Sequence, residues 1–198
     1  YPRMVRTWAS IIGRIAKKQF KQITGDIPST LFAVCGGGSN LMSMAYPLLK
    51  DKTQIFAIES AGEGIETGRH GATILGGGKM GILLGFKSKV VMHSAQIAES
   101  LTEASGLDFA AVGPEVAYLH DIGRIKFRST TDLEAKKTFI MCCEQLGILP
   151  AIEACYVIHA ALKEIKKIKN PKENHLIHLC GSGESNVTRM IKFKRENE

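Results

Sequence analysis

The stretch Leu31-Phe32-Ala33-Val34-Cys35-Gly36-Gly37-Gly38-Ser39-Asn40 contains the clearest structural pattern in the sequence. Five apolar residues precede three consecutive glycines, and another apolar run follows Asn40. An apolar run of this length that ends in turn residues predicts a strand buried on both faces. Ser39 is a favourable N-cap residue, so we expect a helix from Ser39 to about Lys50.

The same stretch has the features of an anion site. Glycine has no Cβ, so the backbone can come close to a ligand, and free N–H groups at a helix N-terminus favour a negative charge. We therefore interpret Gly36, Gly37, Gly38, Ser39 and Asn40 as a phosphate-binding loop. The alternative is a tight turn between strand and helix. The spacing matches neither the dinucleotide fingerprint nor the P-loop, because no GxGxxG and no Lys-Ser/Thr pair is present.

Composition limits the classes of protein that fit. The chain has 198 residues, and 44% of them are hydrophobic, which is enough for a packed core. No apolar run reaches the roughly 18 residues of a membrane helix. Five cysteines without CxxC spacing indicate free thiols, no zinc site and a cytoplasmic location. The sequence begins with Tyr1 instead of Met, and we interpret it as a fragment of a longer protein.

The net charge of +7 leaves two interpretations open. A basic chain can bind nucleic acid, but such surfaces usually carry interleaved aromatic residues. Here the lysines lie in helical segments with few aromatic neighbours, which favours solvated helix faces over a nucleic-acid surface. They are Lys17, Lys18, Lys21, Lys163, Lys166, Lys167 and Lys169.

Strands and helices alternate along the rest of the predicted chain. The predicted helices are 3–23, 39–50, 114–123, 131–146 and 150–169, and the predicted strands are 31–35, 53–59, 125–129 and 175–179. Residues 60–108 are rich in glycine, and we expect a long irregular region with one short helix over 97–104. The alternation predicts an α/β fold with a parallel sheet flanked by helices.

Polar residues follow the predicted strands at their carboxyl ends, where open α/β sheets bind ligands. They include the glycine loop, Glu59 and the segment from Cys180 to Gly183. Glu153 lies in the apolar stretch LPAIEACYV, and two interpretations are open for it. It either faces inward, where it needs a partner, or is a surface residue in the first turn of a helix.

Several motifs resemble the tryptophan synthase β family of fold-type II pyridoxal-phosphate enzymes. They are YPRMVR, CGGGSN, AIESAGEGIETGRHGA, ESLTEASGLDFAAVGPEVAYLHDIGR, STTDLEA, GILPAIEA and LCGSGESN. Their order and spacing match the C-terminal half of that family. The resemblance implies most of the C-terminal portion of a fold-type II enzyme. Residues 1–198 would then form a single incomplete cofactor-binding domain, and the N-terminal half would be absent.

The resemblance also implies roles for the cofactor-binding residues. Residues 36–40 correspond to the loop that binds the phosphate of pyridoxal 5'-phosphate. Glu153 corresponds to a carboxylate beside the phenolic oxygen of the cofactor ring. Cys180 stands where the family has a serine that hydrogen-bonds the pyridine nitrogen, and a thiol is a weaker partner than a hydroxyl.

Two further sites follow from the same resemblance. The backbone carbonyls of Gly36, Phe127 and Ser129 correspond to ligands of a monovalent cation, Na⁺ or K⁺. Leu83 and Leu84 stand where some members carry an aromatic gate on the tunnel through which indole passes.

Two departures bear on catalysis. The lysine that forms the Schiff base lies in the half of the family chain that this sequence lacks, so we expect the isolated segment to be inactive. Lys126 stands where the family has an acidic residue that reaches the hydroxyl of the serine substrate. Lys126 either points outward without effect or impairs the use of serine.

For the full chain, the resemblance implies a lyase of tryptophan biosynthesis that joins L-serine and indole into L-tryptophan. It implies two protein partners, a tryptophan synthase α subunit and a second β chain, and no membrane. Two alternatives stay open. One is another fold-type II enzyme, of the serine or threonine dehydratase type, and the other is a non-catalytic, degenerate fragment.

Overall fold

Strands and helices alternate along the chain in a computed structural model, which describes residues 2–93, 96–168, 170 and 172–197. The strands in this described part are β1 (Thr30–Val34), β2 (Gln54–Ser60), β3 (Lys79–Leu83), β4 (Phe86–Val90), β5 (Met92–His93), β6 (Gln96–Ile97), β7 (Lys126–Thr130) and β8 (His175–Ile177). The α-helices are α1 (Pro2–Thr24), α2 (Ser39–Ala45), α3 (Pro114–Asp121), α4 (Asp132–Met141), α5 (Ile152–Ile165) and α6 (Val187–Glu196).

The main sheet is parallel, and its described strands lie in the order β7-β2-β1-β8. Phe32 of β1 lies opposite Phe56 of β2 and Ile177 of β8. Because the strands are parallel, all their carboxyl ends meet at one edge. The glycine loop and the segment after β8 therefore share an edge, as the sequence predicted.

The core lies on both faces of this sheet. Leu31 and Ala33 pack on one face with residues of α2 and α3. Phe32 and Val34 pack on the other face with residues of α4, α5 and α6. Strand β1 is therefore buried on both faces, and the predicted α/β fold with helices flanking a parallel sheet is confirmed.

The region from 60 to 108 is more regular than predicted. Strands β3 and β4 form an antiparallel hairpin, and β5 pairs with β6. The predicted helix over 97–104 is wrong, because Ile97 lies in β6 and no helix follows within 98–104. The hairpin turn is Leu84-Gly85, with φ of 51° and 78°. Two-residue hairpin turns need such angles, which Asn or Gly adopts more readily than Leu, so the pair Leu84-Gly85 is a weak turn signal.

Other boundaries also differ from the predicted ones. The regular part of α2 ends at Ala45, and a 3₁₀ turn continues it over Tyr46–Leu48. Pro47 has no N–H for the next helical hydrogen bond, which explains the early end. Helix α6 was not predicted, although its apolar Met190 packs into the core.

The predicted capping box at the start of α4 is confirmed, since the Thr131 and Glu134 side chains each bind the other's backbone N–H. Helix α5 is shorter than the predicted 150–169, and Lys169 lies outside the described residues. Within the described part of the chain, no helix is long and apolar enough to cross a membrane.

Candidate functional site

The glycine loop, residues 36–40, leaves β1 and enters α2 at the carboxyl edge of the sheet. Gly37, Ser39 and Asn40 are exposed, whereas Gly38 is buried. None of the described residues accepts a hydrogen bond from the backbone N–H of Gly37, Ser39 or Asn40. Three donors at the carboxyl edge of the sheet are thus available to a ligand.

Gly38, and not Ser39, is the N-cap of α2, so the prediction for Ser39 is wrong on this point. Gly38 has a φ of 100°, which a residue with a side chain rarely adopts. A Cβ on Gly38 would also lie only 2.6 Å from Cγ2 of Val116. Ser39 is the first helical residue, and its side chain makes no cap hydrogen bond.

The loop lies against the segment 105–109. A Cβ on Gly36 would come within 3.0 Å of the carbonyl oxygen of Gly106, and one on Gly37 within 3.3 Å of the Phe109 ring. The N–H of Gly113 donates to the carbonyl of Gly37 at 2.9 Å. The glycines therefore have a packing reason that holds with or without a ligand, as the tight-turn interpretation requires.

Glu153 meets the same segment from the other side. It lies in the first turn of α5, is half-buried, and its Oε1 accepts the N–H of Gly106 at 3.0 Å. Its side chain borders a cavity of about 380 Å³ that Ser182, Asn186 and Arg189 also line. Both interpretations of Glu153 are thus partly right, because it is in a first helical turn and faces a cavity.

Cys180 is half-buried and packs against the same core as α5. Burial, and to a smaller extent the negative charge of Glu153, raises the pKa of the Cys180 thiol to about 11. The thiol is therefore protonated and neutral near pH 7. The charge of Glu153 thus acts on the Cys180 thiol, at the carboxyl edge where the sequence placed both.

A polar network that the sequence did not reveal holds the segment before Ser105. The Tyr156 hydroxyl donates to Oδ1 of Asp132 at 2.5 Å, and Oγ of Ser60 donates to Oγ1 of Thr102 at 2.8 Å. Oδ2 of Asp132 accepts the N–H of Glu103 at 2.9 Å. Asp132 follows the predicted cap Thr131, but no sequence signal linked it to Tyr156.

Glu59, at the end of β2, is 1% exposed. Its two carboxylate oxygens accept the N–H groups of Ile74 at 2.8 Å and Leu75 at 3.0 Å. Burial raises the pKa of Glu59 to about 7, although these hydrogen bonds act in the opposite direction. The Glu59 side chain therefore links residues 74 and 75 of the 60–108 region to the end of β2.

Strand β7 carries the other residues of interest. Lys126 is exposed at the start of β7, an edge strand of the described sheet. It lies level with Phe56 and Phe32, and its ammonium is 5.7 Å from the Phe56 ring centre. Phe127 is buried, and its carbonyl accepts a guanidinium N–H of Arg128 at 2.8 Å. Arg128 is the residue of β7 that lies level with Val34, the last residue of β1, so Lys126 lies two residues before that level.

The predicted gate residues lie on the β3–β4 hairpin. Leu83 is half-buried at the end of β3, whereas Leu84 occupies the turn and is 80% exposed. No group of three or more His, Cys, Asp or Glu side chains in the described residues could hold a metal ion.

A parallel sheet flanked by helices, with a glycine loop at its carboxyl edge, is consistent with part of a fold-type II pyridoxal-phosphate enzyme. The relatives of the chain come from a narrower group within this class. It is 37% identical over 196 residues to a tryptophan synthase beta chain of Ruegeria pomeroyi, and 39% identical over 197 residues to that of Dinoroseobacter shibae. That of Pseudomonas syringae pv. tomato is 38% identical over 185 residues. No family model matches the chain.

These alignments cover 98%, 97% and 92% of this chain, but only 47%, 47% and 44% of the three relatives. The chain is therefore homologous to tryptophan synthase β chains and spans about half the length of these curated relatives. The resemblance to this family is confirmed, and the coverage is consistent with a C-terminal half.

Proposed function

We propose that this chain supplies the cofactor-binding half of a pyridoxal-phosphate-dependent lyase of the tryptophan synthase β type. The whole enzyme would replace the hydroxyl of L-serine with indole and form L-tryptophan, the last step of tryptophan biosynthesis. One observation carries the proposal. The glycine loop, which carries free amides, and the carboxylate of Glu153 both contact the segment 105–109, in a chain homologous to these synthases.

The glycine loop fits the phosphate of the cofactor. The N–H groups of Gly37, Ser39 and Asn40 point to no acceptor among the described residues, and the side chains of Ser39 and Asn40 are exposed beside them. Backbone amides at a helix start bind phosphate through hydrogen bonds and a favourable dipole. These residues would therefore hold the phosphate group.

Glu153 and Cys180 fit the ring of the cofactor. The cofactor supplies an electron sink for bonds at the amino-acid α-carbon. Glu153 would lie near its phenolic oxygen, and Cys180 near its ring nitrogen. Because the raised pKa keeps Cys180 neutral, the thiol would offer only a weak hydrogen bond and leave the nitrogen without a full proton. That moderates the electron sink, which suits β-replacement.

We expect no catalytic lysine in this chain. Lys87 on β4 and Lys126 on β7 are exposed, and neither bonds to the glycine loop. Borohydride reduction of the isolated chain with pyridoxal phosphate, followed by mass spectrometry, should therefore show no stoichiometric label at one lysine. Such a label together with turnover of serine and indole would contradict the expectation.

Other features of the whole enzyme are proposed on the same basis. They are a monovalent cation at the carbonyls of Gly36, Phe127 and Ser129, an α subunit, a second β chain and a cytoplasmic location. Two of these carbonyls already accept a hydrogen bond, that of Phe127 from Arg128 and that of Gly36 from the Cys35 thiol. The exposed Leu84 would border the path of indole.

The proposal is tested by assembly. The segment of the Ruegeria pomeroyi relative outside the aligned region is produced separately and mixed with this chain and pyridoxal phosphate. We expect tryptophan from serine and indole. Pyruvate from serine without any tryptophan would favour the dehydratase alternative. Cofactor binding without turnover of serine would favour a degenerate fragment.

A further inference from the structure

Helix α1 contacts the rest of the chain along one narrow face. Its buried residues are Ser10 and Gly13. A Cβ on Gly13 would lie 2.3 Å from the carbonyl oxygen of Ser43 and 2.9 Å from Cα of Met44, so the backbones of α1 and α2 touch. This close contact fixes which side of α1 faces away from the molecule.

The side that faces away is apolar, and we call it the outer face of α1. At about 100° per residue its members fall within a sector of roughly 120°. Their exposed fractions run from 50% to 84%, and soluble monomers rarely leave so large a contiguous apolar patch uncovered. They are Met4, Trp8, Ile11, Ile12, Ile15 and Ile23.

The charges of α1 indicate what chemistry covers this face. The helix contains basic residues and no Asp or Glu. Arg6 pairs with Glu115 and Lys17 with Asp51, on the inner side. The other basic side chains, Arg3, Arg14, Lys18 and Lys21, make no ion pair with the described residues. By the helical period of about 100° per residue, Lys18 and Arg14 follow one border of the outer face, whereas Arg3 and Lys21 lie further round, toward the inner side.

Two occupants are conceivable for an apolar face of this kind. A second copy of the chain would bring a second helix without acidic residues, and like charges near an interface oppose association. The relatives, in contrast, contain about as much chain again beyond the aligned part, since only 44–48% of their length is covered. The charge pattern and the relatives' length thus both favour the part of the fold beyond the aligned region, and not a second copy of the chain.

We propose that the outer face of α1 docks an apolar surface bordered by carboxylates, on the part of the tryptophan synthase β fold that this chain does not cover. The carboxylates face Arg14 and Lys18. The inference rests on the homology to these synthases, and not on the cofactor chemistry of the proposed function. Its failure and that of the proposed function are therefore distinguishable.

Trp8, the one tryptophan of the sequence, reports on this face directly. It is 67% exposed, so burial in an interface shifts its emission to shorter wavelength and protects it from acrylamide. The probe is the Ruegeria pomeroyi segment outside the aligned region, with its tryptophans replaced by phenylalanine. We expect a saturable blue shift on titration, and weaker binding at higher salt.

Reversing the charges of Arg14 and Lys18 tests whether these two side chains contribute to docking. The double variant Arg14→Glu, Lys18→Glu should weaken binding of the probe by about tenfold or more, because it brings like charges together. The matched control Lys166→Glu, Lys192→Glu makes the same change in net charge at exposed positions elsewhere and should leave affinity within about twofold. All four side chains are exposed, so folding is retained, which circular dichroism verifies.

Three results would overturn the proposal. One is absence of binding, and another is binding that leaves Trp8 unchanged. The third is a concentration-dependent blue shift of the chain alone with a dimer in sedimentation, which would identify a second copy as the occupant. A blue shift on adding the probe without synthase turnover would retain the interface and reject the proposed function.

Discussion

Two glutamates near the carboxyl edge of the sheet both accept hydrogen bonds from backbone N–H groups, yet their surroundings differ. Glu59 is 1% exposed, and each of its two oxygens accepts an N–H of the chain. Glu153 is half-buried beside a cavity, and only its Oε1 accepts an N–H, that of Gly106. Its Oε2 has no hydrogen-bond partner among the described residues.

The difference indicates that the Glu59 carboxylate has a structural role, whereas the Glu153 carboxylate has an oxygen available to a ligand. Glu59 uses its acceptors to tie Ile74 and Leu75 to the end of β2, so a change there acts on stability. Glu153 keeps one oxygen toward a cavity, so a change there acts on binding. The predictions below test this separation.

The largest effect is expected in the pH dependence of stability. Burial raises the pKa of Glu59 from 4.5 to about 7, so the folded protein holds this proton more tightly than the unfolded chain. The stabilisation is complete below about pH 4.5 and is lost as the pH rises through about 7, by up to about 3 kcal/mol. Burial lowers the pKa of His70, which gives an opposite slope, so a difference between variants is the quantity to measure.

Glu59→Gln isolates this contribution. The amide cannot ionise, but it accepts only one of the two N–H groups. By urea denaturation we expect the variant to be about 1 kcal/mol less stable than the wild type near pH 4, and more stable by about 2 kcal/mol near pH 8. The matched change Glu153→Gln should leave stability within about 0.5 kcal/mol at both pH values. A constant difference between Glu59→Gln and the wild type would contradict this account.

Glu153→Gln should instead act on the cofactor. In the enzyme assembled with the complementary segment, we expect about tenfold weaker binding of pyridoxal phosphate, since an amide is a weaker acceptor than a carboxylate for the phenolic O–H. Fluorescence titration with the cofactor measures the affinity. Unchanged affinity would place the ring away from the cavity.

A change at Lys126 tests the proposed contact with the hydroxyl of the serine substrate. An ammonium cannot accept a hydrogen bond from the hydroxyl of serine, whereas a carboxylate can. In the assembled enzyme, Lys126→Asp should raise kcat/KM for serine by about tenfold, or roughly 1.4 kcal/mol. The other possibility is that Lys126, at the start of the edge strand β7, points outward without effect. An unchanged or lower kcat/KM would decide for that possibility.

Ser39→Ala should have the smallest effect. Because Ser39 makes no cap hydrogen bond, the free energy of unfolding should not change. Cofactor affinity should fall by about 1 kcal/mol, or roughly fivefold, through loss of one phosphate contact. A loss of stability would mean that Ser39 caps α2 in solution.

The sequence predicted the sheet well, because apolar runs and capping residues act locally. Strand β1 and the capping box of α4 follow from neighbouring residues alone. The β3–β4 hairpin was missed because its turn contains Leu84 in a left-handed conformation that tertiary structure imposes. Helix α6 was missed although turn residues precede it, and the side chain of its N-cap Asn186 accepts the N–H of Ile152 in α5 and does not cap α6.

The site was predictable only where the residues are contiguous. Residues 36–40 stand together in the sequence, and their exposed donors follow from the glycines. Gly106 donates to Glu153 across 47 positions, and Tyr156 donates to Asp132 across 24. Such pairs depend on how helices pack over the sheet, which periodicity does not specify. Glu59 was noted at a strand end, but its two backbone donors could not be foreseen.

We propose that the free amides of the glycine loop hold the phosphate of the cofactor. Amide ¹H–¹⁵N spectra of the labelled chain, bound to the unlabelled complementary segment, test it directly. Pyridoxal phosphate should shift the amide signals of Gly37, Ser39 and Asn40, whereas pyridoxal without phosphate should leave them in place. Equal shifts with both compounds, or none with either, would contradict the claim.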